Sequence, residues 1–343
     1  MARILIASDA WHPQMNGVVR TLDTTVRILR EQGHDLEIIE PSAFPNRPLP
    51  FYPEIRLSFP LPHRVAVRIK RFQPDFVHLS TEGPIGLSVR RFCRQRGYRF
   101  TTSYHTKFPE YLHTLTGFPE RWAYWYLKWF HGGAAATMIA TPSLEADLMQ
   151  RGFPCRFRRW SRGVDLDLFH PRPKRETFPR PIMLYVGRVS TEKNLEAFLS
   201  RDLPGTKVIV GDGPARSAYQ SRFPNVVFRG VLKGSALAEE YANADLFVFP
   251  SRTDTFGIVL IEALASGLPV AAYPVTGPVD VVTRPELGAV HEDLVEAIRL
   301  ARETGRPEAC IAEAQSYTWG RSTMQFLSNL VPVVPARNRG EMS

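Results

Sequence analysis

A chain of 343 residues exceeds what one ordinary core accommodates and suits two domains. With 44% apolar and 22% charged residues it has a globular composition, which excludes a disordered or fibrous chain, and three well-separated cysteines (Cys93, Cys155, Cys310) exclude a disulfide frame or a cysteine zinc site and fit a reducing compartment. The net charge of +9 is lopsided: residues 1–170 hold 23 Lys/Arg against 15 Asp/Glu and the rest is nearly balanced, which points to an anionic partner of the first half (nucleic acid, an anionic membrane surface or a charged substrate) or merely to a basic soluble surface.

The opening ARILIAS reads as a first β-strand rather than a signal peptide. No run approaches the roughly 20 apolar residues of a spanning helix. A helix closed by Gly33 follows, then strands at DLEIIEP and PDFVHLS, a helix at GLSVRRFCRQRGY, and strands at RFTTSYH and AAATMIATP. SLEADLMQRGF is a helix with Ser143 as its expected N-cap. Residues 1–170 thus read as an α/β domain with a parallel sheet. The proline-rich residues 171–181 read as a linker. Residues 182–317 repeat the alternation, with strands at PIMLYVG, TKVIVG, VVFRGV, ADLFVFP and LPVAAYPV. A last apolar helix, 318–331, is free to pack on either domain. The fold expected is α/β, two Rossmann-like doubly wound domains, with ligands at the carboxyl ends of the strands and in the cleft between the domains.

The stretch SRTDTFGIVLIEALASG, Ser251 to Gly267, carries most of the chemistry. Asp254 sits at the mouth of a helix that starts near Gly257 or Ile258, and Glu262 lies within it. Eight residues at helical rise separate the two acids by about 12 Å, the span from the ribose to the hexose of a nucleotide sugar. Carboxylates accept hydrogen bonds from vicinal hydroxyls, and the helix N-terminus between them offers amides to a diphosphate. The plainer alternative is a helix-dipole charge and one buried acid with a structural partner. In LYVGRVSTEKN, Arg188 and Lys193 flank a strand-end turn, where fixed cations suit a leaving diphosphate or simply face solvent. Gly211, Asp212 and Gly213 make a glycine turn that fails the dinucleotide fingerprint. Asn16 and Gly17 are either a close-approach site or a turn. His105 closes a first-half strand and is either a core or a working histidine. Asp165 and Asp167 mimic a metal-binding pair, although their place beside the linker favours a hinge. Trp122, Trp125 and Trp129 share one helical face near Arg121 and Lys128. That face lies either in a membrane interface or against the sheet.

Taken together, SRTDTFGIVLIEALASGLPV, LYVGRVSTEKN, VGDGP, ANADLFVFPS, DAWHPQMNGV, SYHTKFPEYL and RGVDLDLFHP resemble the motifs of retaining family 4 glycosyltransferases over nearly the whole chain. STEGPIG with SYHTKFPEYL is most similar to the branch of diacylglycerol glycolipid synthases, sulfoquinovosyl transferases and GDP-mannose-dependent mannosyltransferases. The chain's length resembles the bacterial glucosyl- or glucuronosyl-diacylglycerol synthases. The resemblance implies a GT-B fold, with the nucleotide on the second domain and the acceptor on the first. It implies Glu262 on the ribose hydroxyls, Asp254 and the amides of Phe256 and Gly257 on the hexose, and Arg188 and Lys193 on the diphosphate. Gly17 and Gly211 then approach the donor, His105 sits beside its sugar, and the base lies near Val231. It further implies retention of configuration, no divalent metal, no cofactor, and a leaving phosphate that accepts the acceptor's proton.

The expected activity is transfer of a hexose or hexuronate, UDP-glucose or UDP-glucuronate favoured, to a lipid such as diacylglycerol. The expected place is the inner face of the cell membrane, held peripherally by anionic lipid. A GDP-mannose-dependent mannosyltransferase is the alternative donor reading. A non-catalytic sugar-nucleotide binder, or a nucleic-acid binder, is the alternative of a different class. Charge alone supports the nucleic-acid version, because the usual binding motifs are missing, so no nucleic acid partner is expected. Asp254 stands where glutamate is common in the family, and the stretch after Gly277 is short.

Overall fold

Ile4, Leu5, Ile6 and Ala7 are all fully buried, which is what a strand covered on both faces requires; they form β1 (Arg3–Ala7). The computed structural model describes residues 1–14, 16–49, 52–175 and 178–333. It divides into two units. The first comprises Met1–Pro109, Phe118–Ser161 and the chain from Trp319; the second comprises Glu110–Gly117 and Arg162–Thr318.

In the first unit, α1 (Gly17–Glu31) begins at Asn16, whose side-chain oxygen accepts from the amides of Val18 and Val19. There follow β2 (Asp35–Ile39), β3 (Asn46–Leu49), β4 (Tyr52–Ser58), α2 (Pro62–Phe72), β5 (Phe76–Leu79), α3 (Pro84–Arg96) and β6 (Thr101–Ser103). After α4 (Phe108–Thr116), all but two residues of which fall in the second unit, come α5 (Glu120–Gly132), β7 (Ala136–Ile139), α6 (Pro142–Gln150) and β8 (Phe157–Arg159). The parallel sheet runs β2-β1-β5-β6-β7-β8, with β3 and β4 apart as an antiparallel pair. Alternate residues of β1 face opposite sides. Leu5 and Ala7 pack with Val89 and Phe130, whereas Ile4 and Ile6 pack with Leu22, Val26 and Phe326. The cap of α6 corrects the sequence reading: Thr141, not Ser143, accepts from the amide of Leu144 at 3.3 Å. Pro142 occupies the first helical position, which it favours, and that moves the cap one residue ahead of it.

The second unit holds β9 (Ile182–Val186), α7 (Glu196–Leu199), β10 (Thr206–Val210), α8 (Arg216–Arg222), β11 (Val227–Gly230), α9 (Gly234–Asn243) and β12 (Leu246–Phe249). It continues through α10 (Ile258–Ala265), β13 (Val270–Ala272), α11 (Pro278–Val281), β14 (Gly288–Val290), α12 (Leu294–Thr304) and α13 (Pro307–Ala314). The strand order β11-β10-β9-β12-β13-β14 is the 3-2-1-4-5-6 order of doubly wound nucleotide-binding sheets. Its order reverses between β9 and β12, so the carboxyl ends of those two strands are where a ligand crevice is expected. The described part of the proline-rich segment docks on this unit. Lys174 and Arg180 both hold Asp245, and the division between units falls earlier, at Ser161/Arg162.

The last helix, α14 (Trp319–Asn329), belongs to the first unit. Phe326 is fully buried, with its ring 4.8 Å from Trp160 and 4.9 Å from His78. Ser322 and Asn329 donate to the carbonyls of Ser161 and Arg159 at 2.7 Å each.

Candidate active site

The carboxyl ends of the second unit's strands converge through short, specific contacts. Lys193, in the turn after β9, donates to both oxygens of Asp254, after β12, at 2.7 and 2.9 Å. Both side chains are mostly buried, so the pair is shielded far more than a surface ion pair. Asn194 adds a second tie between these turns, its Nδ2 donating to the Pro250 carbonyl at 3.1 Å. The Thr276 hydroxyl, after β13, donates to the carbonyl of Asp254 at 3.1 Å. Arg188 lies in the same β9 turn, where the Tyr185 hydroxyl donates to its carbonyl at 2.8 Å. Burial first, then Asp254, Glu192 and Tyr219, pushes the Tyr185 phenol well above its usual range, so it remains a donor. The Lys193–Asp254 ion pair thus stands at the point where the strand order reverses, with Arg188 in the same turn as Lys193.

The glycines of this region answer to backbone packing. Gly211, with φ 136°, follows β10, and a Cβ there would lie 1.9 Å from the Gly187 carbonyl oxygen. The turns after β9 and β10 are laced together, with Val189 donating to Asp212 at 2.9 Å and Ala215 to Val189 at 3.1 Å. The glycine at 211 is therefore required by the neighbouring turn whatever ligand binds. Gly257, with φ 82°, precedes α10, which has no side-chain cap at its N-terminus. The Phe256 backbone is approached by Gly277, where a Cβ would lie 2.6 Å from the Phe256 carbonyl oxygen. Val231, just after β11, is an exposed apolar side chain at the same edge.

Glu262 is 1% exposed and sits in a helix that is apolar on every side, the signature of a buried element. Tyr241, from α9, donates to its Oε2 at 2.8 Å. α10 starts at Ile258, so only the last four of the eight steps from Asp254 are helical and contribute about 6 Å of rise. The turn at 254–257 sets the rest of the separation.

In the first unit His105 is half-buried, with Nε2 3.0 Å from the Ser80 hydroxyl and its ring 5.5 Å from Trp160. Gly17 is the exposed first residue of α1. Asp9, at the end of β1, accepts from the amides of Ile85 and Gly86 and from Thr81. Its carboxyl is pushed up by burial against those bonds, and it fills the N-terminus of α3 with the chain's own acid. Glu82 pairs with the buried His131 at 3.1 Å.

Some residues fall outside this arrangement. Asp165 accepts from the amides of Asp167 and Leu168, closing a turn, and the described residues contain no cluster of metal-ligating side chains. Trp122, Trp125 and Trp129 do not pack on the sheet. They are exposed while Ala123, Tyr124, Leu127 and Phe130 fill the core, so the face the indoles share is not the one packed on the sheet. Tyr241, Asn194 and Asp9 were not foreseen. Their partners are distant in sequence and only the sheet brings them together.

Residues 15–168 match the family model Glycosyltransferase Family 4, and residues 180–302 match Glycosyl transferases group 1. The chain is similar to a GDP-mannose-dependent alpha-mannosyltransferase of Mycobacterium tuberculosis, 32% identical over 82% of this chain and 81% of that protein. It is similar to sulfoquinovosyl transferase SQD2 of Arabidopsis thaliana, 28% identical over 91% and 70% respectively. An alpha-monoglucosyldiacylglycerol synthase of Streptococcus pneumoniae is 25% identical over 79% and 71%. Among solved structures, sucrose-phosphate synthase of Thermosynechococcus elongatus aligns with a TM-score of 0.78 at 20% identity, covering 96% of this chain and 98% of that one. With these matches, two parallel nucleotide-binding-type sheets and the acidic and cationic turns after β9 and β12, the chain belongs to glycosyltransferase family 4 and has the GT-B fold.

Proposed function

We propose that this glycosyltransferase moves a hexose or hexuronate, from UDP-glucose or UDP-glucuronate, to a lipid hydroxyl such as that of diacylglycerol, with retention of configuration. The observation that carries this reading is the Lys193–Asp254 pair at the reversal between β9 and β12, with Arg188 in the same β9 turn and Glu262 on the helix that follows Asp254. Arg188 and Lys193 offset charge on the departing diphosphate. Asp254 and the amides of Phe256 and Gly257 hold the transferred sugar. Glu262 holds the ribose, and Val231 and Gly211 border the base and diphosphate. Gly17 and His105 are the contributions assigned to the first unit, His105 to the donor sugar. The acceptor oxygen bonds to the anomeric carbon on the face from which the phosphate departs, and that phosphate takes the acceptor's proton. These side chains supply the electrostatic stabilisation themselves, and we assign no resident metal or cofactor. The work is placed at the inner surface of the cell membrane, with the protein held peripherally. The glucosyldiacylglycerol synthase relative supports a lipid acceptor, and no described helix is long and apolar enough to cross a membrane.

GDP-mannose is the second donor reading, and the mannosyltransferase relative favours it. Thermal shift with UDP, GDP and ADP separates the bases. Transfer is then assayed with radiolabelled donors and diacylglycerol, with and without EDTA. Labelled lipid at an unchanged rate in EDTA is expected. Absence of labelled lipid with every common UDP- and GDP-sugar rejects the lipid acceptor, and a rate abolished by EDTA rejects metal independence.

A further inference from the structure

The face of α5 turned away from the core carries Trp122, Trp125 and Trp129, which are 54, 64 and 47% exposed. Positions i, i+3 and i+7 put them on one stripe. The opposite stripe is already buried in the core, and of the three indoles Trp129 also carries a stacked guanidinium, that of Arg90. Three adjoining exposed indoles are far more apolar surface than single scattered residues leave, and such patches mark interaction sites. Phe118, just before the helix, is also an exposed aromatic.

Charge identifies the partner. Arg90 of α3 donates to the carbonyls of Trp129 and Phe130 and stacks on the Trp129 ring at 3.8 Å, which fixes α3 beside α5. The outer side of α3 exposes Arg91 and Arg94, and α5 itself exposes Arg121. Beyond α3 lies a shallow cavity of about 420 Å³ lined by Phe59, Leu61, Leu87 and Arg91, with Phe59 and Leu61 largely exposed. Apolar groups thus stand on both sides of a row of arginines. Indoles favour the headgroup level of a bilayer, where the ring is buried and the N–H stays wet, and arginines beside them favour anionic headgroups. A protein partner would call for acidic groups as well as an apolar patch; an anionic lipid surface matches both features at once.

We propose that α5 is an interfacial anchor, with the Trp122–Trp125–Trp129 stripe seated at the headgroup level of an anionic bilayer and the arginines of α3 on its headgroups. This rests on the membrane placement in the proposed function and names the face that achieves it. The full chain and the triple variant Trp122→Ala/Trp125→Ala/Trp129→Ala are floated with phosphatidylcholine vesicles, with and without phosphatidylglycerol. The variant's partition onto the anionic vesicles is expected to fall at least about tenfold, with UDP and GDP affinity unchanged and the melting temperature lowered only by loss of the Arg90 stack on Trp129. The triple Trp→Phe variant recovers part of the binding, and brominated lipid quenches wild-type emission more than the triple alanine variant's. Equal vesicle binding by wild type and triple alanine variant overturns the proposal. So does a concentration-dependent dimer that only the wild type forms, because a second copy then covers the stripe. Transfer to diacylglycerol in detergent keeps the two readings apart. Transfer without indole-dependent vesicle binding removes the anchor alone; indole-dependent binding without transfer removes the lipid acceptor alone.

Discussion

Replacing Glu262 by alanine separates its two possible duties. The carboxylate is buried and accepts from the Tyr241 hydroxyl at 2.8 Å. Truncation removes the hydroxyl's short bond and leaves it the Val259 carbonyl at 3.5 Å, which costs up to about 1–3 kcal/mol of stability before any cavity term. If the carboxylate also receives the two ribose hydroxyls, each charge-assisted bond is worth about 1.5–3 kcal/mol. Nucleotide affinity then falls by roughly two to four orders of magnitude. Calorimetry with UDP and 2′-deoxy-UDP, and with the guanine pair, isolates the ribose contribution as a cycle. Wild type prefers the ribonucleotide, and folded Glu262→Ala loses that preference. Tyr241→Phe keeps the carboxylate and retains most of it. An unchanged preference in a folded Glu262→Ala variant refutes the ribose assignment and leaves Glu262 as a structural partner of Tyr241.

Three further outcomes are expected. Lys193→Ala removes the cation facing Asp254 and is expected to lower kcat/KM about 10²–10³-fold with a smaller change in UDP affinity, read in initial-rate kinetics; a change below about threefold contradicts its role at the leaving group. Gly211→Ala places a Cβ against the Gly187 carbonyl oxygen in a left-handed backbone, so unfolding free energy falls by about 1–3 kcal/mol or more, and an unchanged melting temperature contradicts the packing account. His78 is fully buried, and burial pulls its pKa from 6.5 to about 3. In the folded chain the His78 ring therefore stays neutral where in the unfolded chain it binds a proton. Its contribution is complete above pH 6.5 and is lost toward pH 3 at about 1.4 kcal/mol per unit, so urea unfolding of wild type weakens from pH 7 to 5 more steeply than that of His78→Gln.

The sheets were legible because buried parallel strands are near-continuous apolar runs, as in ILIA of β1 and LFVF of β12. Strand order was not, because it depends on which runs pair across long separations. That order is what makes the β9 and β12 turns neighbours. The acids and cations of the second unit were legible by residue type and by place at strand ends. Their pairing was not, since Lys193 and Asp254 are 61 residues apart in sequence. The indole stripe was visible as a spacing, yet spacing gives only a shared face. Which way the face turns is decided by Tyr124, Leu127 and Phe130, whose burial on the other side of the same helix claims the core. The glycine turn at 211 fails the dinucleotide fingerprint, and the Gly187 carbonyl supplies a sufficient reason for its glycine without a ligand.

The short acid at 254 is held at both ends. Its carbonyl accepts from the Thr276 hydroxyl and its carboxylate from Lys193, and the chain on either side is fixed by Asn194 on Pro250 and by the Gly277 turn against Phe256. An acid so anchored cannot swing to meet a sugar, so its reach is set by the backbone. Lengthening it by one methylene in Asp254→Glu moves the carboxylate relative to a stationary Lys193 and turn. Under the proposed function, that variant alters the ranking of donor sugars and changes affinity for the bare nucleoside diphosphate less, because it disturbs the diphosphate only through Lys193 while Glu262 still holds the ribose. Competition between nucleotide sugars at equal concentration reads the ranking directly. A variant that loses bare UDP and GDP binding instead places Asp254 at the diphosphate, where its contact with Lys193 would be the reason.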